Sequence, residues 1–314
     1  MLSNDDNGPK KVVLPLPEGI EIRPLTAFDE IDETVALQRL TWDDPTTVIY
    51  PHMLISLIRN GGQLLGAIRN GRVVGFLLSY LGTDLPDPSR PAMANLKLVS
   101  QRMAVLPDFR SAGIGYALKL AQREYAVQQG IRLITWTFDP LNSRNAHLNI
   151  RKLGCMVQHY DINYYGTQPS PLVNLDQSDR LVAEWRVTSA RVEHRLLGTR
   201  SPLRIDQYMS ANTRIVNPSI VGAKGLLQPG NPNLTEGLLA LVEIPTYFDR
   251  IAEQDEALAR AWRAHCRAVF TQAIRAGYIA TDFIHAEHEG RERSFYVFSA
   301  SEAIQSFSSN AIAN

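Results

Sequence analysis

Small residues surround two glycines in the segment RSAGIG at positions 110–115. Glycine and other small side chains let a ligand approach the backbone closely. From Gly115 onward the apolar residues follow helical spacing (Ala117, Leu118, Ala121, Tyr125). Because the first amides of a helix have no partner inside it and carry partial positive charge, the pattern predicts an anion site, best suited to phosphate. Arg110 would add a fixed positive charge beside it.

The same six residues are also compatible with a turn whose glycines only relieve steric crowding. Two other phosphate-binding patterns do not fit. The chain has no GxxxxGK[ST] sequence, and Arg110 stands where a dinucleotide-binding fingerprint needs its first glycine.

The elements around this segment indicate a mixed α/β layer protein. Residues 20–25 alternate apolar and charged side chains, and Asn70-Gly71 separates two apolar runs, as in a β-hairpin. Residues 132–138 form a nearly continuous apolar run, which is typical of a buried strand. Residues 143–154 predict a short helix, and residues 155–166 predict a further strand that carries several tyrosines.

The chain has 314 residues, which is long enough for two domains. We expect a flexible N-terminus at 1–17, a first domain at 18–197, a C-terminal α+β domain at 198–300 and a flexible tail at 301–314. Lys and Arg together number 32, as do Asp and Glu, so no overall charge attracts nucleic acid or a membrane. The two cysteines lack metal-ligand spacing, and no apolar run has the length of a membrane helix or a signal core. These features predict a cytoplasmic protein without a metal.

Two ordered motifs resemble those of the GNAT superfamily of acyl-CoA N-acyltransferases. The family's signature loop, Arg/Gln-x-x-Gly-x-Gly/Ala after the fourth strand, is similar to Arg110, Gly113 and Gly115. Its next motif is a strand and a helix that ends Lys-Leu-Gly, and FDPLNSRNAHLNIRKLG at 138–154 resembles it. Later segments, among them VEIP and AGYIATDF, are similar to a bacterial and archaeal subgroup of predicted GNAT acyltransferases of about this length. Members of that subgroup are linked to N-acylation, including N-succinylation, of amino acids.

This resemblance implies a GNAT fold, with a central, mostly antiparallel sheet splayed between strands four and five, and here a C-terminal α+β extension. It also implies an acyl-CoA site. The pyrophosphate would lie on the loop amides, and the strand before the loop would pair with the pantetheine arm. The implied contacts are Met103, Ala104, Val105, Arg110, Ser111, Ala112, Gly113, Ile114, Gly115, Asn142 and Asn145. Helix capping is the alternative for Asn142, and solvent exposure is the alternative for Asn145 and Asn149.

The implied reaction is direct attack of a small amine, such as an amino acid, on the thioester of acetyl-CoA or another acyl-CoA, with succinyl-CoA as one candidate. The superfamily's usual acid is a Tyr four residues before the Gly of the second motif, and Ile150 occupies that position here. We expect Asn149 and Tyr164 to be the catalytic residues, and Tyr160 and Tyr165 are alternatives to Tyr164. The base is left open among Gln101, His147, His159 and Asp161.

Ile150 and Gln101 also motivate a second hypothesis, in which the chain binds acyl-CoA as a sensor or assembly partner without catalysis. A third hypothesis is a nucleotide-binding module that uses the same helix terminus. The expected partner is a small-molecule amine, with no nucleic acid and no membrane, and a homo-oligomer is left open. Six arginines at 180–204 suit a carboxylate-bearing acceptor or a solvated charged face.

Overall fold

The computed structural model describes residues 16–42, 47–84, 91, 95–168, 170, 173–222, 224–233 and 237–300. The predicted flexible tail at 301–314 and all but the last two residues of the predicted flexible N-terminus lie outside these residues. The chain forms two compact units. The first comprises Met1–Trp136 and Trp185–Arg200, and the second comprises Thr137–Glu184 and Ser201–Asn314. The predicted division into domains at residue 197 stays a prediction.

Strands and helices alternate through much of the described chain. The strands are β1 (Ile20–Pro24), β2 (Gln63–Arg69), β3 (Arg72–Thr83), β4 (Leu96–Val105), β5 (Leu133–Phe138), β6 (Met156–Asp161), β7 (Arg180–Arg186), β8 (Arg214–Ile215), β9 (Ile220–Val221), β10 (Leu227–Gln228), β11 (Leu239–Ile244), β12 (Tyr278–His288) and β13 (Arg291–Ala300). The helices are α1 (Phe28–Trp42), α2 (Pro51–Arg59), α3 (Ile114–Gln128), α4 (Ser143–Ala146), α5 (Ala190–Leu197), α6 (Ile205–Ser210), α7 (Phe248–Gln254) and α8 (Glu256–Arg275). A π-helix at His147–Lys152 directly follows α4.

The first unit is a sheet with helices on both faces. Its strands run in the order β1-β2-β3-β4-β5, and every neighbouring pair is antiparallel except β4 and β5. Asn70 and Gly71 join β2 to β3 with φ of 50° and 74°, the left-handed conformations that a tight hairpin requires, which confirms the predicted hairpin. Helices α1 and α2 pack on one face, and α3 packs on the other. This layering confirms the mixed α/β class.

β4 stays beside β5 for only two residue pairs, Leu98 with Ile134 and Val99 with Thr135. In the pairing of β4 with β3 the register shifts, because Leu78 faces Arg102 and Ser79 faces Ser100. Gln101 is therefore the extra residue of a β-bulge. From this bulge to its end at Val105, β4 has no pairing with β5 in the described chain. The sheet is thus splayed between its fourth and fifth strands.

The second unit is also built on a mostly antiparallel sheet, with the order β7-β6-β12-β13-β11-β8. Only β11 and β8 pair in parallel. Helix α8 buries Trp262, Cys266 and Phe270, and the Phe270 ring meets the rings of Tyr296 and Phe298 edge-on. These contacts attach α8 to the sheet.

β6 ends earlier than the sequence predicts. It closes at Asp161, and the following residues form turns in which Asn163 has a φ of 50°. The hydroxyl of Ser178 accepts the amide of Tyr165 at 2.9 Å and donates to the carbonyl of Gly166 at 2.6 Å. The prediction of a strand through residue 166 is therefore wrong beyond Asp161. Hydrogen bonds from the Ser178 side chain and a left-handed backbone at Asn163 take the place of strand pairing there.

A buried ion pair fastens β11 to β13 in the second unit. The carboxylate of Glu243 accepts hydrogen bonds from Nε of Arg293 at 2.9 Å and from its Nη2 at 2.8 Å, and both side chains are 1% exposed. Burial alone would raise the pKa of Glu243, but hydrogen bonds from Arg293 and Ser219 hold it below its usual range. Arg291 lies 3.1 Å from the same carboxylate.

We predict that Glu243→Gln lowers the free energy of unfolding by about 3–5 kcal/mol, because the buried Arg293 guanidinium loses its buried carboxylate partner. Denaturant unfolding of the full chain measures this change. Asp176→Asn is the control. It removes the exposed ion pair between Asp176 and Arg260 and should leave stability nearly unchanged. Equal effects of the two substitutions would contradict the structural role of Glu243.

Candidate functional site

The loop at residues 110–115 lies between a 3₁₀ turn at Pro107–Phe109 and helix α3. Ser111 and Gly113 have φ of 61° and 84°, so two nearby residues are left-handed. The first hydrogen bond at the start of the helix runs from the amide of Ala117 to the carbonyl of Gly113, at 3.0 Å. Among the described residues, the amides of 111–115 have no hydrogen-bond acceptor. Such a row of unbonded amides is what an anion requires.

The loop also leaves space for a ligand. A Cβ added to Gly113 would meet no atom within 4 Å. Residues 110–113 are exposed, whereas Ile114 is buried against the sheet and anchors the start of α3. The backbone of the loop therefore faces open space on one side and is fixed on the other, which fits a diphosphate.

Arg110 folds back onto the strand that precedes the loop. Its Nε donates to the carbonyl of Val105 at 3.1 Å. The guanidinium thus joins the end of β4 to the loop, while the side chain stays exposed. This contact was not predicted from the sequence. Arg110 therefore stabilises the loop, in addition to its predicted role of placing a positive charge beside the anion site.

The other predicted contacts in the first unit are the last three residues of β4. Met103, Ala104 and Val105 pair with Leu77, Phe76 and Gly75 of β3. They lie beyond the bulge, where the described chain provides no β5 partner on the other edge. Alternate residues of a strand direct their N–H and C=O groups to opposite edges. This edge can therefore accept an extended ligand.

In the second unit, Asn142 caps helix α4. Its Oδ1 accepts the amide of Asn145 at 3.0 Å, which is the capping alternative that the sequence left open. Asn142 and Asn145 are both exposed. Asn149 is only 3% exposed, so solvent exposure is wrong for this residue. It lies in the π-helix, a rare form that often occurs at functional sites.

The tyrosines after β6 have different environments. Tyr164 is 51% exposed, and its ring meets that of Tyr165 edge-on at 4.7 Å. The hydroxyl of Tyr165 lies 3.2 Å from Oγ1 of Thr137 on β5, and the Arg180 guanidinium lies over its ring at 5.1 Å. Since β6 ends at Asp161, alternation along a strand does not decide which of these two residues faces a ligand.

Tyr160 is held in a buried polar cluster. Its hydroxyl donates to Asp179 at 2.7 Å, and Arg267 donates two hydrogen bonds to the same carboxylate. Burial and the contact with Asp179 raise the pKa of Tyr160 well above its usual range. The Tyr160 hydroxyl is thus engaged with Asp179, and Tyr160 stays an untested alternative to Tyr164.

The candidate bases also differ. Gln101 is the exposed bulge residue of β4, and His159 is 61% exposed with its Nε2 3.7 Å from Glu184. His147 opens the π-helix, and its ring packs edge-on against Phe283. Burial lowers the pKa of His147, and no described residue bonds its buried Nδ1. The surroundings of His147 therefore favour its neutral form.

The described part of the chain has no group of three or more His, Cys, Asp or Glu side chains that could hold a metal ion. None of the helices within the described ranges combines the length and apolar character that a bilayer span demands.

Part of the chain matches a known protein family. Residues 28–154 match the model of the acetyltransferase (GNAT) family, and they include both motifs described above. Over this segment, which is less than half of its length, the chain is similar to the GNAT acetyltransferases. A comparison with curated proteins gives no match.

Several solved structures are similar to about half of the chain. The ribosomal-protein-S18-alanine N-acetyltransferase of Escherichia coli is 16% identical, with 55% of this chain and 96% of that chain covered and a TM-score of 0.41. A GNAT acetyltransferase of Elizabethkingia anophelis with acetyl-CoA bound is 17% identical, with coverages of 54% and 99% and a TM-score of 0.39. An N-acetyltransferase of Staphylococcus aureus Mu50 is 16% identical, with coverages of 54% and 99% and a TM-score of 0.42. The similarity to the GNAT family rests on the family model and not on these structures.

We predict that Asn142→Ala lowers the free energy of unfolding by about 1 kcal/mol, because helix α4 loses its cap. Asn142→Asp keeps an acceptor oxygen at the same place and should retain most of the stability. Thermal and denaturant unfolding of the two variants measures the difference. Equal losses in both would show that the cap contributes little and that the amide group of Asn142 matters for another reason.

Proposed function

We propose that this chain is an acyl-CoA-dependent N-acyltransferase that transfers an acyl group to the amine of a small molecule, with amino acids as the first acceptors to test. The observation that carries the proposal is the row of unbonded amides at residues 111–115, next to the free edge of β4. The match of residues 28–154 to the GNAT family model supports it.

The loop would hold the diphosphate of the acyl-CoA. Its amides lie at the positive end of α3, where an anion is stabilised by both the hydrogen bonds and the helix dipole. The remaining nitrogens of the Arg110 guanidinium would add a charge-assisted contact. Among the described residues of the second unit, Asn142 and Asn145 stay proposed contacts on the strength of the family motif alone.

β4 would bind the arm that carries the thioester. Backbone groups of Met103, Ala104 and Val105 would pair with the amides of the arm, as a neighbouring strand would. An amide near the Gln101 bulge would donate to the thioester oxygen and stabilise the oxyanion that forms when the amine attacks. The chain's contribution to this step is to bind the two reactants in line.

Two proton transfers accompany the reaction. The amine must lose a proton before or during attack, and the thiolate leaves with or without one. Asn149 and Tyr164 stay our proposed catalytic residues. The contact between Tyr165 and Thr137 supports Tyr165 as the alternative phenol, and the lowered pKa of His147 supports this residue as the base.

The balanced charge of the chain favours a small-molecule acceptor over nucleic acid. Arg180 is 8% exposed, and it is the member of the arginine group that suits recognition of an acceptor carboxylate. We also propose a cytoplasmic location. The acyl group would be acetyl or succinyl, in line with the resemblance to the subgroup of similar length.

Binding of acetyl-CoA tests the proposal directly. Isothermal titration of the full chain should give saturable heat with acetyl-CoA, and Gly113→Trp should abolish it because the indole fills the open side of the loop. Gly113→Ala is the control. It carries the same strain at positive φ, about 1 kcal/mol, without the bulk, and should still bind. Unchanged binding by Gly113→Trp would mean that the phosphates lie elsewhere.

Arg110→Ala is expected to weaken acetyl-CoA binding by about 1–3 kcal/mol if the guanidinium meets a phosphate. Arg110→Lys keeps the charge but loses the Nε contact with Val105, so comparing the two separates charge from anchoring. Titration at low and moderate salt measures both. A loss of only a few tenths of a kcal/mol in Arg110→Ala would assign Arg110 to structure alone.

A non-catalytic acyl-CoA sensor is the second candidate, and two observations favour it. Ile150, which replaces the usual acid, is fully buried, and Gln101 at the bulge cannot take up a proton at neutral pH. Release of free thiol from acetyl-CoA and succinyl-CoA, measured over a panel of amino acids and polyamines, separates the candidates. Steady acceptor-dependent release removes the sensor, and binding without release supports it.

A further inference from the structure

A lysine is buried in the first unit on the helix that begins at the proposed phosphate loop. Lys119 lies on α3 and is 2% exposed. Burial of an ammonium group is costly unless hydrogen bonds or other charges compensate for it. The contacts of Lys119 therefore indicate what its charge does.

Three elements meet at the ammonium group. Nζ donates to Oγ of Ser100 on β4 at 2.8 Å and to Oε1 of Gln122 on α3 at 3.3 Å. It also lies 3.4 Å from the ring centroid of Trp136 on β5, well within the range of a cation–π interaction. The ring of Trp185 meets that of Trp136 edge-on at 6.1 Å and fixes its orientation. One side chain thus ties β4, β5 and α3 together.

These contacts fall where the two strands begin to separate. The last paired residues are Val99 and Thr135, and Ser100 and Trp136 are the next residue on each strand. Ser100 is also the residue before the Gln101 bulge. The Lys119 ammonium therefore bridges the side chains of the first two residues beyond the last β4–β5 pair, on the α3 face of the sheet.

The hydrogen bond between Lys119 and Gln122 leaves another polar atom of Gln122 without a partner among the described residues. Gln122 is fully buried, and its oxygen is turned towards Lys119. Its Nε2 has no hydrogen-bond partner in the part of the chain that the structure describes. Leaving a buried donor unsatisfied is unfavourable, so the orientation of Gln122 is explained by its bond to the ammonium group.

We infer that Lys119 is a positioning residue of the acyl-CoA site, which fixes β4 relative to β5 at the bulge and so keeps available the edge of β4 that would receive the thioester arm. The inference rests on the proposed function. Lys119 lies five residues after the start of α3, about 7.5 Å along its axis. It can therefore fix the spacing of β4 and β5 where their pairing ends, which we call the seam, without touching the phosphate loop.

The test distinguishes binding of the pantetheine arm of CoA from binding of its nucleotide part. Lys119→Met has a side chain of similar length without the charge. It should weaken binding of CoA about tenfold, and leave binding of 3′-phosphoadenosine 5′-diphosphate, which lacks the pantetheine arm, unchanged. Isothermal titration of the full chain with each of the two compounds measures this split. A general loss of folding would weaken both ligands together.

Arg123→Met is the matched control. Arg123 is a buried cation four residues further along α3, but it bonds the carbonyl of Val187 at 2.8 Å, away from the seam. This variant should lower the melting temperature and change neither affinity. If Lys119→Met does not fold, Ser100→Ala removes one contact with little change in volume and should show the same selective loss of CoA binding.

Selective loss with CoA in either seam variant supports the inference. Equal loss of both ligands, or unchanged binding of both, would overturn it. Failure of the wild-type chain to bind either compound would overturn the acyl-CoA site itself, and the inference with it.

Discussion

The early separation of β4 from β5 is the constraint on which the candidate site depends. A strand in the middle of a sheet normally has both edges paired, and an open edge is a place where another extended chain can add. Here the bulge at Gln101 marks the end of the pairing after Val99, and within the described ranges the last residues of β4 pair with β3 alone. The bulge also shifts the alternation along β4, so that Ser100 and Met103 both face α3.

Two sets of polar groups in this protein have different roles. In the second unit, Asp179 and Glu243 each accept hydrogen bonds from an arginine and from further donors. Their charges are compensated within the protein and stabilise the contacts between its elements. The amides of the loop at 111–115 are different, because no described group satisfies them. Most of this loop is exposed, so its amides are accessible, and their place at the start of α3 suits an anion.

Much of the fold follows from local patterns. The Asn70-Gly71 turn and the small residues before α3 act through their own backbone conformations, and a sequence shows these directly. The short β6 could not be predicted, because its end depends on Ser178, a residue of a distant loop that replaces the ladder. The burial of Lys119 could not be predicted either, because it depends on residues far away in the sequence. A lysine in an amphipathic helix indicates the solvated face, and only the neighbouring β4 and β5 strands show that it is covered.

The absence of a phenol at position 150 bears on how the proposed reaction could proceed. Ile150 is fully buried and part of the core, so this helix cannot supply a proton at that place. A thiolate is a good leaving group, and its departure does not depend on an acid as strongly as that of an amine or alkoxide does. The rate would then come mainly from holding the thioester in line with the amine and from amides aimed at the oxyanion. Such a mechanism depends on the exact width of the seam between β4 and β5, which explains the value of a buried charge at the point where they part.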